Sequence, residues 1–129
     1  MKYNLVVKGV FSAAHRLMGS GGKCENMHGH NFRVELTVGG NDLGDAGMLI
    51  DFSDLKEILS RILKDLDHSD LNTLEPFREK SPSSESIAEY IFGRAELDLT
   101  GSSAEVMSVT VAESDTAYAT YISQRNGPA

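Results

Sequence analysis

Alternating apolar and polar residues predict two β-strands in the first third of the chain. In residues 31–38, NFRVELTV, every second side chain is apolar: Phe32, Val34, Leu36 and Val38. Residues 2–14 are the other predicted strand, and Gly9 within them is a candidate bulge. The pattern therefore predicts two neighbouring strands, each with one apolar face.

A change to helical spacing after residue 52 predicts the first of two helices. In SDLKEILSRILKDL the apolar residues form one stripe, and Ser53 is the predicted N-cap. The stripe consists of Leu55, Ile58, Leu59, Ile62, Leu63 and Leu66. The second helix is predicted to start after Pro82, with Ser83 as its N-cap, and to run to about Glu96.

Two further strands, over residues 104–113 and 116–123, are predicted to form a hairpin. The resulting order is strand, strand, helix, helix, strand, strand. It favours an α+β domain with a four-stranded antiparallel sheet and both helices on one face. No linker divides residues 1–129, which indicates a single domain. An open four-stranded sheet has two unpaired edges, and oligomerisation would cover them.

Composition narrows the classes of partner. A net charge of −7 argues against nucleic acid, which requires a basic surface, and no apolar run is long enough to span a membrane. The N-terminus lacks the long apolar region of a signal peptide. Cys24 is the one cysteine, so an intrachain disulfide framework is excluded and a reducing cytoplasm is expected.

Three of the four histidines fall where adjacent strands would bring them together. In a strand that begins at His28, the side chains of His28 and His30 share a face, and His15 ends the preceding strand. Three imidazoles with an open fourth position are typical of catalytic zinc. Ordinary hydrogen-bonded histidines are the alternative, and the spacing alone leaves the two readings about equal.

The other candidate groups are ambiguous by themselves. Cys24 could be a metal ligand, a nucleophile, a proton-transfer group or an inert thiol. Asp67 and His68 follow the first helix, where a carboxylate could orient the imidazole, although a polar helix-ending turn is the simpler interpretation. Glu113, at the end of a strand, could accept two hydrogen bonds from an amidine-like edge or could simply face solvent.

Six motifs that occur in a fixed order along the chain favour the functional interpretation of these residues. FSAAHRL, HGHNF, IDFSDLK, LDHSDLN, SPSSES and VTVAES together resemble the 6-pyruvoyl-tetrahydropterin synthase family, from Phe11 to about Tyr118. That family includes the bacterial 6-carboxytetrahydropterin synthases of queuosine biosynthesis. The short spacing between Cys24 and His28 is similar to that of the carboxy-forming branch.

The resemblance implies a fold and a set of roles. The fold is the tunnelling fold, in which trimers close their sheets into a barrel and two trimers form a hexamer. Zn²⁺ would be held by His15, His28 and His30. Cys24 would transfer protons, with Asp67 and His68 completing the catalytic group. Glu113 would anchor the pterin, with help from Ser83 and Glu85; Ser83 stands where the family usually has threonine.

The activity implied is that of a lyase. 7,8-Dihydroneopterin triphosphate would be converted to 6-carboxy-5,6,7,8-tetrahydropterin, acetaldehyde and triphosphate. The alternatives are the 6-pyruvoyl product and a 6-hydroxymethyldihydropterin product for folate synthesis, to which Glu25 beside Cys24 draws attention. A zinc-binding or pterin-binding module without catalysis is disfavoured, because such a module would need neither Cys24 nor the Asp67–His68 pair.

Overall fold

The computed structural model describes residues 1–19, 21–22 and 25–124. Within these residues the fold consists of five strands and two α-helices, and two short 3₁₀ helices, Leu71–Thr73 and Glu75–Phe77, lie just before the second α-helix. In chain order the elements are β1 (Tyr3–His15), β2 (His28–Gly40), α1 (Phe52–Lys64), β3 (Ser69–Asp70), α2 (Ser84–Asp98), β4 (Glu105–Ala112) and β5 (Tyr118–Ile122).

The sheet has the strand order β3-β1-β2-β4-β5. Its four long strands pair antiparallel, which confirms the predicted sheet. The strand count differs, because β3 adds two residues that run parallel to Ala13 and Ala14. A hydrogen bond holds the start of β3 against β1: the backbone N–H of His68 donates to the Ser12 carbonyl at 2.6 Å. Two residues are too few to show an alternating pattern, so sequence reasoning missed this strand.

The core lies between one face of the sheet and the two helices. Helix α1 packs on β1, and α2 packs on β4 and β5. All six residues of the predicted α1 stripe are buried, as the helical spacing predicted. On the sheet, Phe11 and Phe32 stack with ring centroids 4.8 Å apart. Each such buried side chain contributes about 1.5–3 kcal/mol of transfer free energy, which holds β1 and β2 in register beneath the helices.

Gly9 lies where α1 packs closely on β1, and it does not form the bulge that was predicted there. The register between β1 and β2 runs through Gly9 without a shift, opposite Val34. A Cβ atom on Gly9 would lie only 2.7 Å from the Cδ1 atom of Leu63 in α1. The missing side chain therefore lets the helix approach the strand. The irregularity in the sheet lies elsewhere, between Thr37 and Val38 where β2 pairs with β4.

The two helix N-termini are capped differently from one another. Ser83 caps α2 by accepting from the Ser86 N–H at 3.1 Å, as predicted. For α1 the prediction of Ser53 was wrong. Asp51 is the cap, and its carboxylate accepts from both the backbone and the hydroxyl of Ser53, which lowers the pKa of Asp51. Neither helix has the length and apolar character required to cross a membrane.

Candidate functional site

Three histidines meet where β1 ends and β2 begins. His15 and His28 are directly paired across the two strands, and His30 lies two residues further along β2 on the same face. One ring nitrogen from each lies within 4.8 Å of the others. The predicted strand parity therefore holds. Pairing of β1 with β2 converts two distant sequence segments into one three-histidine cluster, defined as His15, His28 and His30.

Backbone carbonyls orient two of these rings. The Nδ1 of His15 lies 2.7 Å from the carbonyl oxygen of Pro82, and the Nδ1 of His28 lies 2.7 Å from that of Asn26. A carbonyl can only accept, so each Nδ1 donates its proton there, and in the neutral ring Nε2 is the nitrogen that has the lone pair. This arrangement, with one nitrogen held by an acceptor and the other available, is the usual one for metal-binding histidines.

Two of the ring nitrogens that face into the cluster are buried and unpaired. Within the part of the chain that the structure describes, the Nε2 atoms of His15 and His30 are buried without a hydrogen-bond partner. Buried polar atoms are rarely left unpaired. Burial, which outweighs the bond to Pro82, lowers the pKa of His15 and favours the neutral ring that binds metals. The three residues therefore fit a divalent metal ion that accepts imidazole nitrogen.

A carboxylate lies beside the cluster. Glu113 directly follows β4, and its Oε2 is 3.8 Å from the Nε2 of His30, beyond hydrogen-bond distance. Its Oε1 accepts from the Ser84 hydroxyl at 3.1 Å. The Glu113 side chain is 31% exposed, so a ligand can reach it from solvent.

The first turn of α2 supplies this contact through a residue that sequence reasoning overlooked. Ser83 caps the helix, and Glu85 is exposed in the first turn. Ser84 lies between them, is buried, and is the residue of this segment that bonds Glu113. The sequence did offer a signal for Ser84, because it directly follows the predicted N-cap Ser83. Successive residues of a first helical turn face different directions, so Ser84 could reach a neighbouring strand that Ser83 and Glu85 do not face.

Asp67 and His68 form a hydrogen-bonded pair at the edge of the sheet. The Nδ1 of His68 lies 2.8 Å from the Oδ2 of Asp67, and the other carboxylate oxygen of Asp67 accepts from the Ser12 N–H at 2.8 Å. The bond from Ser12 and the bond from His68 lower the pKa of Asp67, against the opposing effect of desolvation. The His68 side chain is 83% exposed and its φ is 56°, so the imidazole projects from a left-handed turn.

One residue of the pair, His68, and one of the cluster, His30, line the same surface depression. A surface depression of about 410 Å³ is lined by residues of β1, β2 and the turn before β3, including Ser12, His30, Asn31 and His68. Cys24 lies outside the described residues. Next to it, the Glu25 carboxylate accepts from the Gly21 N–H at 2.8 Å, and the Glu25 N–H donates to the Gly22 carbonyl at 3.1 Å.

Comparison with known proteins gives a consistent result. Residues 4–124 match the family described as 6-pyruvoyl tetrahydropterin synthase. The chain is 41% identical over 123 residues to the 6-carboxy-5,6,7,8-tetrahydropterin synthase of Synechocystis sp., covering 92% of both chains. It is 35% identical over 123 residues to the protein of the same name from Bacillus subtilis, covering 90% of this chain and 82% of that one.

A solved structure agrees in fold. Caenorhabditis elegans 6-pyruvoyl tetrahydropterin synthase superposes with a TM-score of 0.85 at 29% identity, over 95% of this chain and 96% of its own. This supports the predicted α+β tunnelling fold. With the family match across nearly the whole chain, it leads to one conclusion: the chain belongs to the 6-pyruvoyl tetrahydropterin synthase family.

Proposed function

We propose that this protein is a zinc-dependent 6-carboxytetrahydropterin synthase. Its reaction is the conversion of 7,8-dihydroneopterin triphosphate to 6-carboxy-5,6,7,8-tetrahydropterin, acetaldehyde and triphosphate, within queuosine biosynthesis. One observation carries the proposal: three imidazoles, each with a ring nitrogen within 4.8 Å of the others, converge beside the accessible Glu113 carboxylate. The relatives bearing that enzyme name at 41% and 35% identity support the choice of product.

The three-histidine cluster is proposed to hold Zn²⁺, with His15, His28 and His30 as its protein ligands. Three histidine ligands leave a coordination position open to substrate, as catalytic zinc sites require. When bound, the metal supplies Lewis-acid polarisation of the hydroxyl groups on the substrate side chain and of the neighbouring C–H bonds.

Glu113 is proposed to bind the pterin ring. The N3–H and the 2-amino group of a pterin present two adjacent donors, and a carboxylate accepts such a pair in parallel. Ser83 and Glu85, in the capped first turn of α2, are proposed to complete the pterin side of the site. A ring anchored on Glu113 would lie next to His30, because Glu113 and His30 are neighbours.

Cys24 and the Asp67–His68 pair are proposed to move protons. The Cys24 thiolate would take a proton from the substrate side chain and return it at another carbon. Asp67 is held anionic by its bond from Ser12 and fixes the orientation of the His68 ring, which can then relay the proton. Triphosphate leaves, and water then adds at the side-chain carbon next to the ring, so that cleavage of the carbon–carbon bond gives the carboxylate and releases acetaldehyde.

The quaternary assembly and the cellular location are part of the same proposal. Part of β1 and the whole outer side of β5 are unpaired sheet edges among the described residues. We propose that copies of this single domain, residues 1–129, join these edges into a cytoplasmic homohexamer of two trimers. Acidic net charge and a small-molecule substrate give no role to nucleic acid or a membrane.

Product analysis tests this function. Purified protein with zinc is incubated with 7,8-dihydroneopterin triphosphate, and the products are identified by mass. The carboxy product with acetaldehyde is expected. A 6-pyruvoyl or 6-hydroxymethyl product would replace the proposed activity with the corresponding alternative, and no turnover would favour a binding module.

The role of Cys24 needs a separate variant. Cys24→Ala is expected to retain zinc and to lose about 10²–10⁴-fold in turnover, the usual contribution of a proton-transfer group. Turnover at the parent rate with zinc retained would show that the cysteine does not transfer protons.

A further inference from the structure

We propose that Ser84 is a positioning residue that sets the orientation of the Glu113 carboxylate and thereby the selectivity for the 2-amino edge of a pterin. This inference rests on the proposed function, in which Glu113 binds that edge. The resemblance to a known family pointed to Ser83 and Glu85, whereas the structure singles out the residue between them.

The geometry favours a fixed carboxylate. Ser84 is the first residue of α2, only 8% exposed, and its hydroxyl donates to Glu113 Oε1 at 3.1 Å. A serine hydroxyl has one proton, and here that proton is directed at Glu113. The bond therefore holds one carboxylate oxygen of Glu113 in place and leaves Oε2 directed away from Ser84.

Fixing one oxygen does not block ligand binding. A carboxylate oxygen has two lone pairs, so Oε1 can accept from Ser84 and from a ligand, and Oε2 is left for a second ligand donor. Two parallel hydrogen bonds require a defined carboxylate plane. A glutamate with free terminal rotation would lose side-chain entropy on binding, and prior orientation by Ser84 reduces that loss.

The same short segment also touches the three-histidine cluster. The Pro82 carbonyl accepts from His15, Ser83 caps the helix, and Ser84 holds Glu113. Three consecutive residues therefore link a proposed zinc ligand to the proposed pterin anchor. Because α2 is packed on β4 and β5, this segment fixes the position of the carboxylate relative to the cluster.

The test compares two ligands that differ at one position. Pterin and lumazine, in which oxygen replaces the 2-amino group, are titrated into zinc-loaded protein by calorimetry. Ser84→Ala is expected to weaken pterin binding about tenfold, or about 1.4 kcal/mol, with much less effect on lumazine. Ser84→Thr keeps the hydroxyl and is expected to restore selectivity. Ser60→Ala, which removes an exposed serine hydroxyl from α1, is the control and should bind as the parent does.

A double-mutant cycle separates positioning from direct contact. In a Glu113→Ala background, Ser84→Ala is expected to cause no further loss of pterin binding. An equal loss in both backgrounds, or an unchanged pterin-to-lumazine ratio in Ser84→Ala, would overturn the proposal. Ser84→Cys keeps the volume but donates weakly, and it provides the same test if the alanine variant fails to fold. Calorimetry measures ligand binding and requires no turnover. A protein that binds pterin but does not turn over the substrate would therefore refute the proposed function and leave the role of Ser84 standing.

Discussion

The three-histidine cluster and the Asp67–His68 pair are built in opposite ways. The cluster joins residues from two long, fully paired strands, and His15 at its base is completely buried. The pair joins sequence neighbours at the sheet edge, where His68 is 83% exposed and is held through backbone and carboxylate bonds to Ser12. Rigid strand register suits fixed ligand geometry, whereas an exposed pair suits proton exchange with a ligand or solvent.

The largest expected effect comes from breaking the cluster. His28→Ala removes one of three imidazoles and is expected to abolish both metal retention and turnover, because two remaining neutral donors hold a divalent ion poorly. Elemental analysis after dialysis and a product assay measure the two effects. Full metal occupancy in this variant would exclude His28 as a ligand.

Removing His68 should lower turnover without affecting metal binding, so it distinguishes the Asp67–His68 pair from the three-histidine cluster. His68→Ala is expected to lower turnover by about 10²–10⁴-fold while metal content stays at the parent level. His68 is exposed, so the fold should be retained, with a loss of stability of about 1–2 kcal/mol because alanine is strained at a φ of 56°. This variant and His28→Ala are matched controls for each other. Loss of metal in His68→Ala would contradict the division into a metal region and a proton-transfer region.

Metal removal tests whether the cluster is structural. The apolar core between the sheet and the helices does not depend on the cluster, so chelation is expected to leave a folded protein without activity. The lost stabilisation should be modest, about 2.7 kcal/mol where free metal had been 100 times its Kd. Circular dichroism and thermal unfolding measure this, and global unfolding on chelation would indicate a structural metal.

The smallest expected effect is on stability, and it comes from the hydrogen bond that joins Asp67 to the Ser12 backbone. The Ser12 and His68 bonds lower the pKa of Asp67 below its ordinary value of 3.8, so its folded state favours the carboxylate. The stabilisation is present above that value and is lost as the pH falls through the folded pKa. The difference in unfolding free energy between the parent and Asp67→Asn should therefore shrink in acid. A difference that is independent of pH would show that the Ser12 contact does not depend on charge.

Prediction from sequence succeeded where periodicity carries the information. The alternation in HGHNF put His28 and His30 on the apolar face with Phe32, and the α1 stripe is buried as predicted. Prediction failed where a single contact decides the outcome. Asp51 caps α1 although Ser53 stood at a plausible position, because the carboxylate two residues earlier reaches the Ser53 N–H and hydroxyl.

Residue spacing was enough to predict the layered α+β fold and the residues from which a site could be built. Local spacing is enough for this, since strand and helix periods place side chains on faces without reference to distant segments. The three-dimensional fold was needed to show that His15 pairs with His28, that Pro82 and Asn26 orient the rings, and that Ser84 holds Glu113. The residue that bonds each of these side chains is set by strand register and by the packing of α2, and neither can be read from the order of residues.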